Sequence, residues 1–321
     1  MNESNEKNLY SPLEFIFRIE AHEDIITSIS IFPNSGNIIS VGYQNDKSIK
    51  IWDPNFNVLQ IIKNAHNTGI SDVSIKDENN FATSCWEEEI KIWYKENNNS
   101  NDKNNEENKN NFILKETINS GYNNWIAKII YDCSGKIISC GKDKTIKIWE
   151  RNNKENKYEK VTILTHSDIL YSLLLLNDKN ILITSGIDGT RFWNFLNFNF
   201  IVLLDAISWA NHSLQRINED KIIVGGKKDH LMKIISVKEK AIICTIDNSF
   251  DCYGICVINE KNIFLTVGQS HNIRIYDSIN FTFIKEIENA HSNEICGIER
   301  MNNTIIVSFS YDKHFCIWSI E

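Results

Sequence analysis

Short runs in which polar and apolar residues alternate recur along the whole chain. Ser48-Ile49-Lys50-Ile51-Trp52, Thr145-Ile146-Lys147-Ile148-Trp149 and Asn272-Ile273-Arg274-Ile275-Tyr276 share one grammar, closed each time by an aromatic residue. A period of two sends successive side chains to opposite faces, so each run predicts a half-buried strand. Other β-rich runs precede them: Ser28-Ile29-Ser30-Ile31-Phe32 and Ile38-Ile39-Ser40-Val41 flank the turn cluster Pro33-Asn34-Ser35-Gly36-Asn37. Seven such segments close, at Trp52, Trp93, Trp149, Trp193, Ile235, Tyr276 and Trp318, with successive intervals of 41, 56, 44, 42, 41 and 42 residues. A period of about 40–45 residues, with several short strands in each, predicts the blades of an all-β propeller. Only three prolines occur in the chain, consistent with ladders that need their N–H groups.

The interval of 56 has a local cause. Between Trp93 and Trp149 lies a stretch dominated by Asn, Lys, Glu and Asp. Such a segment cannot bury enough apolar surface to order itself, so residues 96–110 are expected to be a disordered insert between blades. Removing about 14 residues restores the common period. Residues 1–12 are expected to be a disordered tail, and 13–321 a single seven-bladed propeller.

The repeated segments resemble WD40 repeats over about residues 13–321. In that family each blade carries a His before its first strand, a Ser or Thr in the second, an Asp in the turn to the third and a Trp closing the third. The resemblance implies such a structural tetrad at His22, Ser40, Asp46 and Trp52; at His166, Thr184, Asp188 and Trp193; and at His291, Ser308, Asp312 and Trp318. The second blade offers His66, Thr83 and Trp93, with Glu87 at the Asp position. The third keeps Ser139, Asp143 and Trp149 but has Tyr122 at the His position. Blades 5 and 6 are degenerate, keeping little beyond Asp229 and Thr266 respectively. The family also implies how the ring closes. Three residues follow Trp318, so Leu13–Ile19 is expected to serve as the outer strand of the last blade, removing an open edge.

Ser, His and Asp together superficially suggest a nucleophilic triad. A triad is needed once, however, whereas this set recurs at blade spacing and includes an indole. Its expected role is a hydrogen-bond chain that satisfies buried polar groups. His230, His271 and His314 follow the turns of neighbouring blades, too far apart for one zinc ion. Gly225-Gly226-Lys227-Lys228 lacks the spacing and following helix of a phosphate loop. Neither catalytic residues nor a metal or other cofactor are therefore expected.

Composition narrows the remaining classes. The net charge is −8, with no long Lys/Arg block, which disfavours broad contact with nucleic acid or an anionic membrane surface. No apolar run approaches the roughly 20 residues of a membrane helix. Eight cysteines without a Cys-x-x-Cys pair read as small apolar strand residues of a reducing compartment, so the protein is expected to be cytoplasmic, a nuclear location being the alternative.

The resemblance further implies a binding face, formed by the entrances of the first strands and the turns before the third. The positions three and five residues after the His, and the one before the turn Asp, are expected to be the most exposed there. They supply a partner-binding set of Trp86, Trp125, Lys142, Ile169, Tyr171, Lys228, Glu294 and Tyr311, with further positions such as Thr27, Ser71, Ala127, Ser213 and Cys296. Aromatic anchors beside an occasional charge are the composition of interface hot spots. The expected function is a non-catalytic scaffold or adaptor for a protein or peptide, within a multiprotein complex. The alternatives are an enzyme using the central channel, which needs convergent catalytic residues, and an RNA-associated propeller, which needs a clustered basic patch.

Overall fold

The computed structural model describes residues 13–96, 111–122, 124–152, 154–208, 210–226 and 229–320. The expected tail, the insert apart from Glu96, and Lys228 lie outside these residues. Among the described residues, twenty-eight strands form seven four-stranded antiparallel sheets. Blade 1 comprises Ile26–Ile31, Ile38–Gly42, Ile49–Trp52 and Val58–Ile62, running from the ring centre outward. Blades 2 to 6 follow in chain order with the same plan. Blade 7 is built of Ile295–Arg300, Ile305–Ser310 and His314–Ile320, and its outer strand is Leu13–Glu20. That N-terminal strand pairs antiparallel with His314–Ile320, from Leu13 opposite Ile320 to Glu20 opposite His314.

Burial follows position in the blade. The second strands Ile38–Gly42, Ile137–Gly141 and Ile263–Gly268 are buried at every residue. Both of their faces are covered by neighbouring blades, so they read as continuous apolar runs. The outer strands alternate and leave Val58, Leu59 and Ile61 exposed. The core is accordingly a set of seven wedges between adjacent blades. One joins Phe32, Ile39 and Val41 of blade 1 to Ile70, Phe81 and Trp93 of blade 2. Another joins Phe309, Phe315 and Ile317 of blade 7 to Ile26, Ile38 and Trp52 of blade 1, so the ring closes through hydrophobic packing as well as strand pairing.

The inner strands carry a shared irregularity. In six of the seven blades the register shifts by one residue near the strand entrance, skipping Thr27, Ser71, Ala127, Tyr171, Tyr253 and Cys296. A bulge leaves the extra residue outside the ladder and re-aims its side chain. Five of these six residues line one cavity at the centre of the ring.

Candidate functional site

The polar chain of each blade is read first, because it holds the loops that shape the central opening. In blade 1 the Trp52 indole N–H donates to Ser40 Oγ at 2.8 Å, and Ser40 Oγ meets His22 Nε2 at 2.7 Å. His22 Nδ1–H then donates to Asp46 Oδ2 at 2.8 Å. Blade 4 repeats this through Trp193, Thr184, His166 and Asp188, and blade 7 through Trp318, Ser308, His291 and Asp312. Burial lowers the affinity of His22 for a proton despite the opposing pull of Asp46. Burial would raise Asp46, but hydrogen bonds from His22, Ser48 and the Glu23 amide outweigh it and hold the carboxyl well below the usual range. In blades 1 and 4 the pair is thus a neutral imidazole donating to a carboxylate, and in all three blades the serine or threonine hydroxyl is engaged on both sides. It cannot serve as a free nucleophile.

Acid should open these chains. Burial, outweighing Asp188, pushes His166 down to about 4 from 6.5. Between those values the unfolded chain takes up a proton that the folded chain refuses. The stability from this site, complete above pH 6.5, is lost as pH falls toward 4, by about 3 kcal/mol. The melting temperature should therefore decline over that interval, before the carboxylates titrate; a flat profile from pH 7 to 4 would show that His166 carries its proton freely in the fold.

The other blades substitute parts. In blade 3, Trp149 and Tyr122 both reach Ser139 Oγ at 2.9 Å. No histidine is present. The Lys147 ammonium instead sits 3.4 Å from the Tyr122 ring centroid and pairs with Asp143 at 2.9 Å. In blade 6 Asn248 takes the place of the His, accepting from both Thr266 and the Tyr276 hydroxyl at 2.9 Å. Blade 5 has Ile235 at the closing position, and Asp229 caps its own turn, accepting from the Leu231 amide. In blade 2, Trp93 and His66 converge on Thr83, but the carboxylate nearest the imidazole belongs to Glu89, at 3.7 Å, and not to Glu87. The longer glutamate approaches from the start of the third strand, not from the turn.

Above these chains lies the central cavity of about 360 Å³, lined by Trp86, Trp125, Tyr171, Tyr253 and Tyr311, with His212 at one side. Its aromatic rings form a row. Tyr43 meets Trp86 edge-on at 5.2 Å, Trp86 stacks on Trp125 at 4.8 Å, and Trp125 meets Tyr171 at 5.5 Å. Trp86 and Tyr311 are 38% and 39% exposed. Four of the eight expected binding residues, Trp86, Trp125, Tyr171 and Tyr311, therefore share one cavity. Lys142 is exposed and Ile169 and Glu294 are half-buried, but all three stand outside its lining.

Several expectations need correction. Ser71, Ala127 and Ser213 are buried rather than exposed: Ser71 bonds the Ser84 hydroxyl at 2.8 Å, Ala127 packs in the wedge between blades 3 and 4, and Ser213 bonds the Ser208 hydroxyl. Cys133 lies in an exposed turn, unlike the strand cysteines. Tyr253 went unnoticed because blade 6 has no His; it stands five residues after Asn248, the spacing that places Tyr171 after His166. Tyr43 was missed because the turn of blade 1 is longer, placing it three residues before Asp46 and not one; its amide donates to the Ile25 carbonyl at 2.9 Å, as the Trp86 amide donates to Gly69 and the Tyr311 amide to Glu294.

The repeat family described as "WD domain, G-beta repeat" matches this chain over residues 13–53 and 115–150. Each match begins in the outer strand of one blade and runs through the first three strands of the next, the same offset that closes the ring. No curated protein matches the chain. With that repeat matched twice and seven four-stranded blades in a closed ring, the chain is a seven-bladed β-propeller that carries WD40-type repeats.

Proposed function

We infer that this propeller is a non-catalytic scaffold that takes a protein or peptide segment over its central aromatic opening, as part of a multiprotein complex in the cytoplasm. The supporting observation is the row Trp86, Trp125 and Tyr171, drawn from three successive blades and lining one cavity, with Tyr43 of blade 1 packed edge-on behind Trp86. A rigid aromatic surface of this kind loses little side-chain entropy on binding and is the usual seat of hot spots. The Ser, His and Asp groups that could do chemistry are tied into the polar chains of the blades. Eight unpaired thiols support a reducing compartment. Among the described residues, no helix is long and apolar enough to cross a membrane.

Trp86→Ala and Tyr311→Ala should change the melting temperature little, since both side chains are well exposed. Either should weaken a partner recovered with the wild-type protein by about 2–4 kcal/mol if it is a hot spot. Quantitative affinity purification of wild type and both variants measures this. Equal recovery from folded variants would place the interface elsewhere on the ring.

A further inference from the structure

Blade 2 differs from its neighbours at one point in its polar chain. In blades 1, 4 and 7 an aspartate accepts from the histidine Nδ1–H at 2.7–2.9 Å. In blade 2, Glu89 Oε2 stands 3.7 Å from His66 Nδ1, and both atoms are buried without a hydrogen-bond partner. His66 is 1% exposed. A buried polar atom left unmatched is costly, and native folds rarely keep two side by side.

A third donor reaches the same point. The residue ending the second strand, opposite the first residue of the inner strand, is Gly42 in blade 1 and Gly141, Gly186 and Gly268 in blades 3, 4 and 6. A Cβ at Gly42 would lie 2.9 Å from His22 Nδ1 and 2.7 Å from Asp46 Cγ, so a side chain here points at the joint between imidazole and carboxylate. Blade 7 has Ser310 there, whose hydroxyl turns onto the Glu294 carbonyl at 2.7 Å. Blade 2 has Cys85, 1% exposed. Its Sγ, His66 Nδ1 and Glu89 Oε2 all lie within 4.8 Å of one another.

We propose that His66, Cys85 and Glu89 bind one divalent metal ion of the zinc class. Imidazole, thiolate and carboxylate are the donors such an ion prefers. Ligand atoms around a tetrahedral zinc ion stand roughly 3.3–3.8 Å apart, so the trio must close by at most about 1.5 Å. Glu89, whose side chain is 28% exposed, is the member free to move. Charge balances: on binding, the Cys85 thiol releases its proton to solvent, and thiolate plus carboxylate neutralise the dication beside a neutral histidine. His66 Nε2 then keeps its hydrogen and donates to Thr83 Oγ1 at 2.8 Å, which orients the ring. Lys91 is the competing cation, 3.4 Å from the same Glu89 oxygen; it also donates to the Ala65 carbonyl at 2.8 Å and can remain there. Cys85 and Glu89 bracket the hairpin that carries Trp86, so the ion clamps that hairpin to the blade. The site departs from the expectation of no metal: two of its ligands are four residues apart across a turn and the third is 19 residues upstream, a spacing that matches no common zinc motif.

The test uses the full chain carrying Cys133→Ser, which removes the exposed thiol. After chelator treatment it is titrated with Co²⁺ and then Zn²⁺. The expected result is one equivalent of Co²⁺ with a thiolate-to-cobalt charge-transfer band, displacement by Zn²⁺, and a melting temperature raised by stoichiometric Zn²⁺. Cys85→Gly, the residue most other blades carry, should abolish the band and weaken Zn²⁺ binding at least tenfold. Glu89→Gln should weaken binding while keeping the band. No stoichiometric binding, Co²⁺ bound without the thiolate band, or Zn²⁺ affinity unchanged in both variants would each overturn the proposal.

Discussion

Replacing Trp149 by Ala is expected to lower the unfolding free energy by about 3–5 kcal/mol, through the cavity left by a large buried side chain. The indole is 4% exposed and packs in the wedge between blades 2 and 3, among Ala82, Ile92, Ile126 and Tyr158. Neighbouring strands cannot collapse into the space, because their separation is set by ladders on either side. The substitution also removes the donor to Ser139 Oγ, leaving that buried hydroxyl with Tyr122 and the Lys147 carbonyl. Trp52→Ala should behave similarly, since Trp52 is 3% exposed, donates to Ser40 and packs edge-on against Phe315 across the ring closure. Trp149→Phe should recover part of the loss, restoring volume but not the hydrogen bond. Denaturant titration reads the effect as a lower midpoint with the slope unchanged. If Trp149→Ala melts like Trp86→Ala, the closing tryptophans are not core residues.

Deleting residues 1–20 should have the second large effect. The strand Leu13–Glu20 covers the whole of His314–Ile320, and its loss exposes that strand's backbone as an unpaired edge. It also removes Leu13 from the wedge between blades 6 and 7, the Phe15 ring packed 5.5 Å from Trp318, and the Arg18 pair with Asp312 at 3.1 Å. In a closed ring each blade leans on both neighbours, so weakening one blade loosens the two wedges beside it. The truncated chain should melt well below the full one and form oligomers through the open edge. A synthetic Leu13–Ala21 peptide added in trans should restore part of the lost stability, because the register is fixed by alternation along both strands. A truncated protein that stays monomeric with an unchanged melting temperature would mean that blade 7 does not depend on this strand.

Much of this molecule is legible in its sequence, for a physical reason. Period-two alternation and a repeat of about 42 residues are local signals, and they recur seven times. They determine the number of blades, the residues that close them and the strand left over at the N-terminus to complete the ring. The family resemblance, beyond these signals, points to Trp86, Trp125, Tyr171 and Tyr311 through their places around the His and the turn Asp of each blade. Tertiary structure decided what depends on a skipped register or on the reach of one side chain. The bulges turned Tyr171, Tyr253 and Ser71 into the central cavity and left Ala127 in the wedge between blades 3 and 4, although the alternation of the strand does not show where a residue is skipped. Whether Glu87 or Glu89 approaches His66, and whether Asn248 can stand in for a histidine, is settled by where the turn and strand place each polar atom. Such choices turn on a few tenths of an ångström between groups far apart in the chain, to which a sequence pattern is blind.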